Sequence, residues 1–143
     1  MAEQTKIKIE AIVNAPVEKV WELWNNPADI IHWNSADPSW HTPRSENDLR
    51  VDGKFMHRME AKDGSFGFDF EGIYTKVDLY KEISYVMADG RTATTLFIGE
   101  AGKTALITFF DPENENDLEL QKQGWQSILN SFVRYAESRN TAV

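Results

Sequence analysis

The sequence predicts an α+β fold. A curved antiparallel sheet of about six or seven strands wraps around one long C-terminal helix, and two short helices follow the first strand. Three observations lead there. Apolar residues recur at helical spacing near the start of the chain and again near its end. Between Leu49 and Phe110 they alternate with polar residues in short runs. Those runs are joined by turns too short for the crossover that parallel strands need.

The elements follow in order. "TKIKIEAIV" (5–13) places Ile7, Ile9 and Ala11 on one side of a strand. In "NAPVEKVWELWNNP", Asn14 is a candidate cap and Pro16 suits a first helical turn. Val17, Val20, Trp21 and Trp24 form the apolar stripe of that helix. "PADIIHW" restarts as a second short helix ending at Trp33. Residues 34–48 are rich in Asn, Ser, Asp and Pro and read as a loop, although they contain Trp40 and His41.

The strands then come at "KFMHRMEA" (54–61), "SFGFDFEGIYTKV" (65–77), "KEISYVMA" (81–88), "RTATTLFIG" (91–99) and "TALITFF" (104–110). Asp63-Gly64 and Asp89-Gly90 are tight-turn signals. Gly72 inside a run marks a bulge or bend. After the acidic loop 111–117, Asn116 and Glu119 resemble a capping box. Leu118, Trp125, Ile128, Leu129, Phe132 and Ala136 then keep helical spacing to about Ser138.

The totals narrow the function. A chain of 143 residues is expected to form one domain, 1–143, with a core that needs no metal or disulfide. The net charge of −8 argues against nucleic acid and against anionic membrane surfaces. With no cysteine, thiolate nucleophiles, disulfides and cysteine-based zinc sites are excluded. His32, His41 and His57 lack metal-ligand spacing, so no metal and no cofactor is expected. No run of residues suggests a secretory signal or a transmembrane span, and a cytoplasmic location is the default. No Gly-x-Ser-x-Gly elbow and no Gly-rich phosphate loop leading into a helix is present.

The segments "NAPVEKVWELWNNP" (14–27), Trp33, "DLRVDGKF" (48–55), "FEGIYTKVD" (70–78) and "QGWQSILNSFVRY" (123–135) together carry a resemblance. In order and spacing they are similar to the START-like, helix-grip superfamily, also called SRPBCC. Within it the chain most resembles the AHSA-type family, related to the activator of the heat shock protein 90 ATPase. Asp52 departs from the pattern, which there has the first of two glycines, and a blunter strand start is expected. The resemblance implies a deep apolar cavity between the long helix and the concave face of the sheet. It implies binding of hydrophobic small molecules, no universal catalytic residues, and a heat-shock chaperone as an alternative partner.

On that basis the candidate ligand-binding residues come from four places. Phe55, His57 and Met59 share one strand face, with His57 as the polar anchor. Phe68, Phe70 and Tyr85 come from the next two strands, and Phe66 is read on the same face as Phe68 and Phe70. Trp125 and Leu129 look out from the long helix. Trp33, Trp40 and His41 lie near the expected cavity entrance. The plainer alternative is core packing, favoured for Trp33, for Phe66, Phe68 and Phe70 and for Trp125 and Leu129, and a satisfied neutral histidine, favoured for His57, while Trp40 reads equally as rim or core. No catalytic residue is assigned. The leading expectation is binding of a hydrophobic or aromatic small molecule. A co-chaperone acting on a heat-shock ATPase, or a cyclase- or hydrolase-like enzyme using His57 and a water, are the alternatives.

Overall fold

The computed structural model describes residues 6–35, 37–113 and 117–139. Strand β1 (Ile7–Val13) leads into helices α1 (Val17–Asn25) and α2 (Pro27–Trp33). Six strands follow: β2 (Trp40–Asn47), β3 (Lys54–Ala61), β4 (Gly67–Asp78), β5 (Glu82–Met87), β6 (Thr92–Glu100) and β7 (Lys103–Phe110). Helix α3 (Leu118–Arg139) completes the order. All seven strands form one antiparallel sheet, in the order β1-β7-β6-β5-β4-β3-β2. This is the helix-grip arrangement. Among the described residues no helix is long and apolar enough to cross a membrane.

The core follows from the two periodicities. Ile9 and Val13, Ile83 and Met87, Ala93 and Phe97, and Leu106 and Phe110 alternate inward along their strands and are buried. Leu129, Phe132 and Ala136, at helical spacing, meet them from α3. Trp24 stacks on Trp33 with 5.1 Å between ring centres, and both rings meet Phe132 edge-on at 4.9 Å. The Trp33 indole N–H donates to the Leu23 carbonyl at 3.0 Å, so its polar edge is satisfied within the core.

Several expectations need correction. The stretch read as a loop contains β2, whose Pro43 cannot donate to a ladder. A proline is tolerated there because β2 is the outer strand of the sheet and its register slips between His41 and Arg44. Pro16 is the N-cap residue of α1 rather than part of its first turn, and Asn14 instead donates its backbone N–H to Glu137 at 3.0 Å. Asn116 lies outside the described residues. The cap seen for α3 is Asp117, whose Oδ2 accepts from the N–H groups of Glu119 and Leu120 at 3.1 and 3.3 Å. Leu118 is exposed, because the helix reaches the sheet only beyond its first turn.

Two backbone positions shape the sheet. Gly72 carries no bulge; the register slip of β4 falls between Tyr74 and Lys76. A Cβ at Gly72 would lie 2.9 Å from the Phe55 ring and 2.7 Å from the Val86 carbonyl, so glycine lets that ring lie flat against the strand. The bend before β3 is sharp despite Asp52. Its φ is 70°, and its N–H donates to the Tyr74 carbonyl at 2.9 Å. Aspartate is among the few residues other than glycine that enter this region.

Candidate functional site: a chamber under the long helix

Helix α3 packs closely on β1 and touches α1 and α2. Strands β3, β4 and β5 curve away beneath it, leaving a cavity of about 390 Å³. That volume falls within the roughly 300–1,000 Å³ usual for small-molecule sites. Ile9, Ile30, Trp33, Phe55, Ile83 and Leu129 close its inner end and are buried. Phe68, Met59, Gln121 and Glu113 are more exposed and mark the mouth, between the β3–β4 hairpin and the start of α3.

Each strand contributes through alternation. Phe55, His57 and Met59 point inward from β3. Phe68, Phe70 and Tyr74 do so from β4, and Ile83 and Tyr85 from β5. Trp125 roofs the space from α3. Its ring lies flat on Phe110, with centres 3.9 Å apart, and meets Phe70 edge-on at 6.3 Å. Phe55 sits at the centre of the floor, against His57, Phe70, Tyr74 and Tyr85 at 4.8 to 5.6 Å.

The polar groups of the chamber are mostly spoken for. Thr95 and Thr108 share a hydrogen bond at 2.8 Å. The Tyr74 hydroxyl donates to Asn47 Oδ1, and Asn47 Nδ2 donates to the Asn25 carbonyl at 2.7 Å. Thr42 Oγ1 donates to the Asn34 carbonyl at 2.7 Å. Ser45 Oγ lies 2.9 Å from His57 Nδ1. Arg91 Nε donates to Asp89 at 2.7 Å. The Tyr85 hydroxyl is hydrogen-bonded by no group among the described residues.

Burial sets the charge states. It pushes the His57 imidazole from 6.5 down to about 4, so the ring is neutral at neutral pH. It pushes the Tyr74 and Tyr85 phenols well above their ordinary value, so both stay protonated. Among the described residues no group of His, Asp and Glu is arranged to hold a metal ion.

The chamber thus brings together Trp33, Phe55, His57, Met59, Phe68, Phe70, Tyr85, Trp125 and Leu129. Trp40 and His41 are not part of its lining. Trp40 begins β2 and packs against Phe66 and Phe68 at 6.0 and 6.2 Å, outside the mouth. The His41 ring faces Glu60 at 3.8 Å on the surface. Phe66 precedes β4 and is 61% exposed, so the Phe66, Phe68, Phe70 stripe divides between the exterior and the chamber. Asn34, Asn47, Tyr74, Arg91, Thr95, Thr108, Glu113 and Gln121 also line the space, and sequence reasoning did not select them. Inward alternation on β4 and β6 would have found Tyr74 and Thr95. The same alternation, extended one step back from Ala93, reaches Arg91, which stands just before β6, whereas Glu113 lies in a connection with no period to read.

The family model for activator of Hsp90 ATPase homolog 1-like proteins matches residues 14–137. The chain belongs to the AHSA1-like family. A search of curated proteins returns no match. Among solved structures, the AHSA1-like protein from Aeromonas hydrophila is 46% identical, with a TM-score of 0.88 over 94% of this chain and 93% of that one. A protein from Cytophaga hutchinsonii is also 46% identical, with a TM-score of 0.81 over the same shares. A protein from Nitrosomonas europaea has only 16% identity but a TM-score of 0.82, covering 97% of this chain and 98% of that one. At that identity the likeness concerns the fold alone, and it shows how little of this AHSA1-like fold depends on particular residues.

Proposed function

We propose that this AHSA1-like chain binds a hydrophobic or aromatic small molecule in the chamber between α3 and strands β3 to β5. One observation carries the reading: a volume of about 390 Å³ walled mainly by aromatic and aliphatic side chains. Leaving such a space empty forfeits packing contacts, so a guest that fills it recovers them. The test is an NMR titration of the purified protein with a panel of lipids, sterols and aromatic metabolites. Resonances of His57, Phe68 and Trp125 should move together for at least one compound. If none of the panel moves them, the proposal fails.

The family description supports a second reading, as a regulator of an Hsp90-type ATPase. It is tested by adding the protein to the chaperone of its own host and measuring ATP turnover. Stimulation supports it, and an unchanged rate removes it.

A further inference from the structure

The chamber wall carries a hydroxyl that the described residues leave unused, that of Tyr85. Tyr85 stands on β5 with its ring held by Phe55 at 4.8 Å, edge-on, and by Phe70 and Tyr74 at 6.3 and 6.5 Å. Its hydroxyl meets no hydrogen-bonding group among the described residues. It is not sealed in by neighbouring atoms either, because no buried side-chain oxygen or nitrogen is left unpaired. The hydroxyl therefore opens onto the cavity that Tyr85 lines. Burial holds the phenol protonated, so it always offers a donor.

A hydroxyl that faces an apolar-walled cavity with no protein partner is free to bond a guest, and a guest that accepts from it gains a directed contact. Its neighbours show the contrast. Tyr74, one strand away, is bound to Asn47, and Thr95 and Thr108 satisfy each other. The surroundings also indicate the partner's charge. His57 is neutral, Arg91 is held by Asp89, and the remaining wall is largely apolar. An ionised guest would lose its hydration against a largely apolar wall whose cation, Arg91, already pairs with Asp89 through Nε, which is expensive. The chain's net charge of −8 disfavours anions further.

We infer that Tyr85 is the ligand's hydrogen-bond anchor, and that the chamber takes uncharged apolar molecules carrying an oxygen acceptor, such as a ketone, ether or alcohol, directed at β5. This rests on the ligand-binding reading above. It adds a residue that determines specificity and a class of guest.

Three probes of one shape test it: 2-acetylnaphthalene, with a neutral acceptor; 2-ethylnaphthalene, with none; and 2-naphthoate, an anion. Affinities are measured by calorimetry for the wild-type chain and for Tyr85→Phe, which removes only the hydroxyl. The wild type should bind the acetyl compound about tenfold more tightly than the ethyl compound, as expected for one hydrogen bond to a preformed donor. Tyr85→Phe should erase that ratio while leaving the ethyl compound within about twofold. The unliganded variant should melt no lower than the wild type, because the hydroxyl it loses had no partner. A tenfold preference that survives in Tyr85→Phe, or a lower melting temperature with both affinities reduced, overturns the anchor role. Should the variant not fold, equal wild-type affinities for the acetyl and ethyl compounds overturn it as well. Tightest binding of 2-naphthoate contradicts the uncharged class. Binding of the ethyl compound without any acetyl preference leaves the chamber reading standing while removing this inference; binding of no probe removes both.

Discussion

His57 illustrates how one side chain's surroundings decide its chemistry. It stacks on Phe55 at 5.2 Å, keeps Ser45 Oγ at 2.9 Å, and is pushed by burial from 6.5 to about 4. At neutral pH it is a neutral hydrogen-bonding group and a weak proton acceptor, which suits orientation of a guest better than general-base catalysis. The shift has a consequence for stability. The folded state resists protonation, so below pH 6.5 the unfolded chain binds a proton that the folded chain refuses. This residue's contribution is therefore intact above pH 6.5, falls as pH drops toward 4, and levels off below that, by at most about 3 kcal/mol. Proton NMR should show the His57 ring titrating near 4, and His57→Gln should lose less stability than the wild type between pH 7 and 4.5. A ring that titrates near 6.5 would contradict this picture.

Among the strands and helices, the β3–β4 pair carries the chamber floor, and Gly72 is its tightest point. Replacing it with alanine puts a methyl 2.9 Å from the Phe55 ring and 2.7 Å from the Val86 carbonyl. Overpacking of this kind costs about 1–3 kcal/mol. Gly72→Ala should lower the urea midpoint with little change in slope, and should shift the resonances of Phe55 and Tyr85. An unchanged midpoint would mean that the floor yields freely. The same strands show what could be read in advance. Alternation in "KFMHRMEA" put Phe55, His57 and Met59 on one face, as a pleated strand must, while the resemblance turned that face toward a cavity that these residues, with Tyr85, now line. The stripe on α3 placed Trp125 and Leu129 for the equivalent helical reason. Strand β2 was not legible, because its Pro43 and its polar outer-strand composition look like a loop until a neighbouring strand is known. Asp52 misled for a related reason: the turn onto Tyr74 asks for a left-handed backbone, and aspartate tolerates it where a glycine was expected.

Taken together, the seven strands and the long helix enclose more volume than their side chains fill. The periodic residues announced which faces turn inward, but not whether they meet. That depends on how far the sheet curls before α3 reaches it, a property of twist and register that no local pattern carries. Glu113 was hidden for a related reason, since it reaches the space from the connection before α3. Ligand binding requires that this interior be hollow and accept apolar guests. Dry apolar cavities take up xenon, so the direct measurement is a crystal structure under xenon pressure. Xenon density is expected within van der Waals reach of Phe55, Tyr85, Trp125 and Leu129. An interior packed solid at those side chains, with no xenon between α3 and the sheet, would contradict it.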